Sequence, residues 1–146
     1  MTCIAWDGKT LAADKRAESA GHYFTTTKAR KIATGEVLAW TGDADTGRMM
    51  AAWYEAGADP AKYPECQKDK DAWARLIVAT ARGVKYYDRW PQFTVVEEPF
   101  AAWGSGRDFA LTAMHLGKSA REAVLIAALF ESGCGNGVDE FQLCPA

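Results

Sequence analysis

The sequence has few of the residues that build metal centres or disulfide frameworks. Only two of its 146 residues are histidine and four are cysteine. Metal sites and small secreted scaffolds need closely spaced Cys and His residues, whereas Cys3, Cys66, Cys134 and Cys144 form no CxxC pair. We therefore predict no metal, no cofactor and reduced thiols.

Long apolar runs and a strong charge of either sign are also missing. No run approaches the ~20 apolar residues that span a bilayer, and the start of the chain lacks the pattern of a secretory signal. A formal net charge of -2 gives no electrostatic attraction to nucleic acid or to an anionic membrane. We expect a cytoplasmic protein that has neither of these as a partner.

The remaining composition is that of an ordinary globular protein. Hydrophobic residues make up 49% and charged residues 25% of the sequence, which is typical of soluble domains. Single domains commonly have about 100–150 residues. The sequence therefore predicts one domain over residues 1–146, and we look for one site.

The first two residues offer a specific chemistry. If Met1 is removed, Thr2 presents a hydroxyl nucleophile and a free α-amine on the same residue. A terminal amine has a reference pKa of about 7.7–8.0, so it can accept a proton near neutral pH. Thr2 would then be nucleophile and base together. The alternative is a frayed terminus without a function.

Strands are predicted in pairs. Asp-Gly and Thr-Gly-Glu turns join the first four, and Gly83 and Pro91 lie between later ones. Residues 58–71 hold two prolines and no apolar period, which indicates a loop. The predicted strands are Ile4–Trp6, Thr10–Ala13, Tyr23–Ile32, Val37–Thr41, Leu76–Thr80, Val84–Tyr87, Phe93–Val96, Phe100–Trp103 and Val138–Leu143.

Three helices are predicted from caps and apolar spacing. The first follows the N-cap Asp43 and ends at Gly57, the second runs from about Arg107 to Gly117, and the third opens with the capping box Ser119 to Glu122. The positions expected to face inward are Met49, Met50, Ala52 and Trp53, then Phe109, Leu111, Met114 and Leu116, then Ala123, Leu125, Ile126, Leu129 and Phe130.

The order of elements predicts the fold class. Strands, one helix, strands, two helices and a strand, with hairpins dominating, favour antiparallel sheets over βαβ units. We therefore expect an α+β fold, a four-layer αββα sandwich with two mainly antiparallel sheets between helical layers.

Five motifs follow one another along the chain: Ala12-Ala13-Asp14-Lys15-Arg16-Ala17-Glu18-Ser19-Ala20-Gly21, Lys28-Ala29-Arg30-Lys31-Ile32, Thr41-Gly42-Asp43-Ala44-Asp45-Thr46, Gly104-Ser105-Gly106, and Gly135-Asn136-Gly137-Val138-Asp139. In this order, and with Thr at the start, they resemble the motifs of proteasome β-subunits and HslV-type peptidases, which are N-terminal nucleophile (Ntn) hydrolases. The short chain is most similar to the proteasome-like proteins of phages and prophages.

The resemblance implies that Thr2 is the nucleophile, and that its amine accepts the proton directly or through one water. It makes Asp14 and Lys28 a buried pair beside Thr2. An ammonium there favours the developing alkoxide, and the carboxylate keeps that ammonium charged inside the protein. The alternative is that Asp14 caps the end of a strand and that Lys28 is a solvated strand residue, since most charged residues are exposed.

Further roles follow from the same resemblance. Gly42 would donate its backbone N–H to the oxyanion, a contact that can be worth about 2.7–4 kcal/mol, and Ser105 would bind the terminal amine. Arg16 would support the site. The alternatives are a plain glycine between strand and helix for Gly42 and a helix N-cap for Ser105.

The chain departs from the family pattern near the end of the third helix, where Glu131 and Cys134 replace an Asp and a Ser. Glu has an extra methylene, and a thiol is a poorer donor than a hydroxyl. The alternative for Cys134 is a small buried residue in a turn. Trp40 lies where the family lines its specificity pocket and would narrow it, or it belongs to the core.

The resemblance implies a threonine peptidase that acts on peptides or unfolded proteins through an ester on Thr2. It also implies a homo-oligomeric ring, with Trp53, Tyr54 and Trp90 as candidate contacts, and an ATP-dependent unfoldase or a phage assembly factor as partner. A phage-encoded chain would be virion-associated. The alternative function is a catalytically silent assembly or binding subunit that retains Met1.

Overall fold

The computed structural model describes residues 1–143, so Cys144 lies outside the described residues. Within residues 1–143 the chain forms eleven strands, three α-helices and two short 3-10 helices at Pro60–Lys62 and Glu65–Lys68. The strands are β1 Ile4–Trp6, β2 Thr10–Asp14, β3 Arg16–Ser19, β4 His22–Thr25, β5 Ala29–Lys31, β6 Val37–Gly42, β7 Ala74–Thr80, β8 Gly83–Tyr87, β9 Phe93–Val96, β10 Ala101–Trp103 and β11 Val138–Gln142. The helices are α1 Ala44–Glu55, α2 Arg107–His115 and α3 Ala120–Phe130.

The described strands form two large sheets and a ribbon. One sheet has the order β10-β1-β2-β11, the other has the order β5-β6-β7-β8-β9, and β3 pairs with β4. Neighbouring strands are antiparallel throughout these sheets. This confirms a mixed α and β chain with antiparallel sheets.

Three apolar clusters hold these elements together. The first joins the facing sides of the two large sheets and contains Ile4 and Ile77. The second packs α2 and α3 on the four-stranded sheet, with Ala12 against Ala123, and the third packs α1 on the five-stranded sheet around Met50. Full burial of one large aliphatic side chain contributes about 1.5–3 kcal/mol, so the clusters supply the main stabilisation.

The inward face of α2 and α3 differs from the prediction. Alanines are buried there, whereas most of the large apolar residues expected to face inward are exposed. The reason is that α3 is apolar almost all round, so its spacing does not single out one face, and small residues allow close packing. The exposed residues are Phe109, Leu116, Leu125, Leu129 and Phe130, and the buried ones include Ala110, Ala113, Ala123 and Ala127.

Trp53 is a core residue, so its predicted role as an exposed subunit contact is wrong. Its ring is 7% exposed, and its Nε1 donates to the carbonyl of Asp59 at 2.7 Å. The cause is its place on the inner face of α1. Tyr54 is half-buried and Trp90 is exposed.

Six strands precede α1 in the described structure, whereas the sequence predicted four. The sequence does not predict β3, and the expected strand Tyr23–Ile32 is two strands, β4 and β5, separated by residues 26–28. Thr26 N donates to Lys15 O, and Trp40 N donates to Lys28 O. The chain thus leaves the ribbon at Thr26 and joins the five-stranded sheet at Lys28.

None of the helices in the part of the chain that the structure describes has the length and apolar content to cross a bilayer.

Candidate active site

A buried ion pair lies at the end of β2. Lys28 Nζ is 2.8 Å from Asp14 Oδ1, and the two side chains are 7% and 0% exposed. Asp14 is the last residue of β2, and Lys28 immediately precedes β5. A buried charge is costly unless it is paired, so each group stabilises the other.

Backbone N–H groups complete the surroundings of the Asp14 carboxylate. Oδ1 accepts from Cys3 N at 2.9 Å, and Oδ2 accepts from Arg16 N and Gly135 N, both at 3.1 Å. Hydrogen bonds from such donors stabilise a charged carboxylate. Asp14 therefore joins the start of β1, the start of β3 and the loop after α3.

Thr2 lies beside this pair and is 5% exposed. Its Oγ1 is 3.5 Å from Lys28 Nζ, and its backbone N donates to Ser105 Oγ at 3.3 Å. Its carbonyl accepts from Gly106 N at 3.1 Å. These contacts anchor Thr2 between β1 and the turn before α2.

The carbonyl of Met1 accepts one of the hydrogen bonds that the Lys28 ammonium donates. Nζ donates to the Met1 carbonyl at 3.1 Å, in addition to Asp14 and Thr2, so all three N–H groups of the ammonium have an acceptor. A side chain at Gly133 would collide with Met1. With Met1 in place the nitrogen of Thr2 is an amide, which is not a base.

Two glycines permit close approach of backbone segments at the site. Gly42 has φ of +93°, and a Cβ there would lie 2.8 Å from Trp73 O. Gly104 has φ of +94°, and a Cβ there would collide with the carbonyl of Thr2. Because L residues with a side chain rarely adopt this conformation, both positions require glycine.

The N–H of Gly42 points toward the site by strand alternation. Trp40 N donates to Lys28 O on the β5 side of β6, whereas Asp43 N donates to Trp73 O on the β7 side. Residues two apart on a strand direct their N–H groups to the same side. Gly42 N therefore faces the side on which Lys28 lies.

A cavity of about 390 Å³ opens beside Thr2. Trp40 forms part of its wall, yet the ring is only 6% exposed and belongs to the cluster under α1. Trp40 is thus a core residue that also borders the cavity, and its role in a specificity pocket stays a prediction. The other lining residues are Met1, Thr2, Arg16, Ala17, Glu18, Ala20, Thr26, Thr27, Lys28, Gly42, Asp43, Ala44, Arg48 and Gly133.

Ser105 and Cys134 lie together behind Thr2. Their Oγ and Sγ atoms are 4.0 Å apart, and Cys134 is buried. Burial, with the nearby charge of Asp14 adding to it, raises the pKa of the Cys134 thiol to about 11. Ser105 does not cap α2, because the N-cap is Gly106 without a side-chain bond.

Glu131 and Arg16 hold the loop that follows α3. Glu131 Oε1 accepts from Gly133 N at 3.1 Å. Arg16 Nε donates to Asn136 Oδ1 and its Nη1 donates to Ser132 O, both at 2.8 Å. The loop carries Gly133 against Met1, so both side chains hold a loop that borders Met1.

The structure thus brings Thr2, Asp14, Lys28, Gly42 and Ser105 to one place. Sequence reasoning missed the contact of Gly133 with Met1 and the donation from Gly135 N to Asp14. The only signal was the richness of residues 133–137 in glycine, which indicates close backbone approach.

The two histidines lie elsewhere. His22 is on β4 and His115 ends α2, and both are exposed. No group of three or more Cys, His, Asp or Glu residues in residues 1–143 could hold a metal ion.

The fold is similar to that of solved proteins. BPH of Thiobacillus denitrificans in complex with epoxomicin superposes with a TM-score of 0.73 at 21% identity, over 99% of this chain and 100% of that chain. HslV of Trypanosoma brucei gives a TM-score of 0.71 at 19% identity, over 96% of this chain and 97% of that chain. No protein-family model matches the sequence, and no curated protein matches it significantly.

Proposed function

We propose that the chain is a threonine peptidase of the Ntn-hydrolase class, a single αββα-sandwich domain in which Thr2 becomes the nucleophile after loss of Met1. The observation that carries the proposal is the arrangement of Thr2 Oγ1 at 3.5 Å from Lys28 Nζ, which is itself 2.8 Å from Asp14. The likeness of the fold to HslV of T. brucei supports the same class.

Removal of Met1 prepares the nucleophile. It converts the nitrogen of Thr2 from an amide into an amine, which Ser105 Oγ already neighbours at 3.3 Å. It also releases the Lys28 N–H that is bound to the Met1 carbonyl. The amine can then take the hydroxyl proton, and the ammonium stabilises the negative charge that develops on Oγ1.

The reaction proceeds through an ester. Oγ1 forms a bond to the carbonyl carbon of the scissile peptide, and the oxyanion accepts from Gly42 N. The C–N bond then breaks, and the leaving nitrogen takes the proton from the α-amine of Thr2. Water adds to the ester with the same amine as base, which releases the acid and restores Thr2.

We propose peptides or unfolded proteins as substrates, since the cavity beside Thr2 is open to solvent and large enough for a side chain. T. denitrificans BPH binds epoxomicin, and we propose that this chain does as well.

We also propose a cytoplasmic homo-oligomeric ring, with an ATP-dependent unfoldase or a phage assembly factor as its partner. A virion-associated ring is the form expected of a phage-encoded chain. The apolar side chains exposed on α2 and α3, with Phe109 stacked on Phe130 at 5.5 Å, support an oligomer.

The test uses protein with a verified Thr2 terminus, compared with protein that retains Met1. We expect epoxomicin to add its mass at Thr2 in the first preparation and not in the second, as measured by intact mass and peptide mapping. Thr2→Ala is the matched control and should remain unmodified. An unmodified, verified Thr2 terminus would contradict the proposal.

The contact of Lys28 with Met1 supports the second candidate, a silent assembly or binding subunit. The carbonyl of Met1 accepts from Lys28 Nζ, and its side chain lies against Gly133 although Met1 is 56% exposed, so Met1 makes specific contacts at the site. This candidate predicts that protein purified from its native cells retains Met1, which intact mass measures directly.

A further inference from the structure

Charged and aromatic side chains form a second cluster near Gly42. The guanidinium carbons of Arg75 and Arg89 lie 5.8 and 5.1 Å from the ring centroid of Trp73. Arg75 also lies over the ring of Tyr86 at 5.0 Å. We call Trp73, Arg75, Tyr86 and Arg89 the arginine cluster.

The arginine cluster lies across β6 from the cavity. Gly42 is paired with Ala74, and Thr41 is paired with Arg75, so β7 begins beside the end of β6. The cavity is lined by residues 26–28, which precede β5 on the opposite side of β6. Gly42 therefore lies between the cavity and the arginine cluster.

Arg75 faces the gap between the two large sheets, and Thr2 lies two residues before Ile4, which faces the same gap. Ile77 and Ile4 both belong to the cluster between these sheets, and side chains two apart on a strand share a face. Arg75 precedes Ile77 by two residues, as Thr2 precedes Ile4. The ring of Tyr86, beneath Arg75, packs edge-on against the ring of Trp103, with 6.4 Å between the ring centroids. This contact links the arginine cluster to the turn at Gly104.

The cluster has more positive than negative charge. Asp88 is the carboxylate that pairs with it in the described chain, at 2.8 Å from Arg75 Nη2. Arg75 Nε is buried and has no hydrogen-bond partner among residues 1–143. Leaving a buried donor unpaired costs stability, and Asp88 pairs with only one of the two guanidinium groups around the ring.

We propose that the arginine cluster binds the part of the substrate that follows the scissile bond and favours acidic residues there. This inference rests on the proposed function. A peptide that occupies the cavity and crosses Gly42 reaches the cluster on the far side. Guanidinium groups bind carboxylates through charge-assisted hydrogen bonds, and Trp73 offers a flat surface to the peptide.

The test compares two peptides that are identical up to the cleaved bond and carry Asp and Glu, or Asn and Gln, beyond it. With Met1-free protein we expect roughly a fivefold higher kcat/KM for the acidic peptide, as expected for partly exposed ion pairs. Arg89→Gln and Arg75→Gln should bring the ratio near one. Arg82→Gln, in the turn at the opposite end of β7, should leave it unchanged.

Two results separate this inference from the proposed function. Cleavage of both peptides at equal rates, or a preference that survives Arg89→Gln, overturns the inference and leaves the peptidase intact. If neither peptide is cleaved, fluorescence anisotropy of the labelled peptides decides. Tighter binding of the acidic peptide that Arg89→Gln abolishes supports the cluster without the peptidase, and equal binding of both peptides overturns it.

Thermal unfolding of each variant accompanies these measurements. An Arg75→Gln protein that unfolds near the wild-type temperature and loses the preference supports the inference. If Arg75→Gln does not fold, the result for Arg89→Gln decides, because Arg89 lies after the end of β8 and outside the strand pairing.

Discussion

Two ion pairs lie on consecutive residues at the end of β2, and they differ only in their surroundings. Asp14 pairs with Lys28 and Lys15 pairs with Asp139, each at 2.8 Å. The first pair is 0% and 7% exposed, whereas the second is 21% and 28% exposed. Asp14 ends β2 and Lys15 lies between β2 and β3, so one step along the chain moves an ion pair from the interior to the surface.

The comparison shows how differently the two pairs are surrounded. The outer pair makes one further contact, from Lys15 Nζ to Thr27 Oγ1 at 3.3 Å, and exposed pairs contribute only about 0–1 kcal/mol. The inner pair is surrounded by backbone donors and by Thr2. Its burial has a cost that its own attraction need not repay, and the proposed chemistry at Thr2 would give the pair a reason to be there.

Breaking the inner pair at its carboxylate should have the largest effect. Asp14→Asn leaves the Lys28 ammonium buried without a counter-charge and places an amide NH₂ among backbone donors. We expect the free energy of unfolding to fall by about 3–5 kcal/mol, as measured by urea denaturation. Asp139→Asn is the matched control. A loss below about 1 kcal/mol for Asp14→Asn would show that the two pairs are equivalent.

Breaking the same pair at its cation should reduce activity more than stability. In Lys28→Met the Asp14 carboxylate keeps its three backbone donors. We expect kcat/KM of the Met1-free protein to fall about 10²–10³-fold, the scale of one lost electrostatic contact to the transition state. The loss of stability should be smaller than for Asp14→Asn. Lys15→Met is the control, and normal turnover by Lys28→Met would exclude Lys28 from the site.

Burial, with the charge of Asp14 adding to it, also raises the pKa of the neighbouring Cys134 thiol. The folded protein holds the Cys134 pKa at about 11, above the ordinary value of 9.0. Folding thus favours the neutral thiol. The contribution of this thiol to the free energy of unfolding is complete below pH 9 and is lost as the pH rises from 9 to 11.

Between pH 9 and pH 11 we expect the free energy of unfolding of the wild type to fall by on the order of 1–3 kcal/mol more than that of Cys134→Ser. Urea denaturation at pH 8, 9, 10 and 11 gives this difference. Parallel curves for the two proteins would mean that burial does not perturb the thiol.

The surface pair should give the smallest effect. Lys15→Met and Asp139→Asn, alone and together, should show a coupling of at most about 1 kcal/mol in a double-mutant cycle, and the coupling should decline in 1 M salt. A coupling that resists salt would mean that this pair, too, is shielded from water.

Local chemistry explains which elements the sequence predicts well. The first hairpin follows from an Asp-Gly turn, α1 from its Asp43 cap and α3 from the Ser119 capping box, whose reciprocal bonds are present in the structure. The buried faces of α2 and α3 could not be predicted, because Leu125 and Leu129 are apolar but exposed. The break between β4 and β5 depends on distant partners that a strand pattern does not reveal.

The side chains of the site could be predicted from the sequence, whereas its backbone contacts could not. The order of motifs predicts that Thr2, Asp14 and Lys28 lie together, and the structure places them within hydrogen-bonding reach. The donors from Gly135 N and the acceptor at Met1 O are backbone atoms, which every residue possesses. No side-chain pattern identifies them, so only the folded chain shows how the carboxylate is held.

The donation from Gly135 N to Asp14 joins positions that are 121 residues apart. A chain emerging from the ribosome therefore has no complete carboxylate environment until Gly135 has been synthesised and has docked. Under the proposed function, the hydroxyl of Thr2 would lack its full electrostatic support until that contact forms.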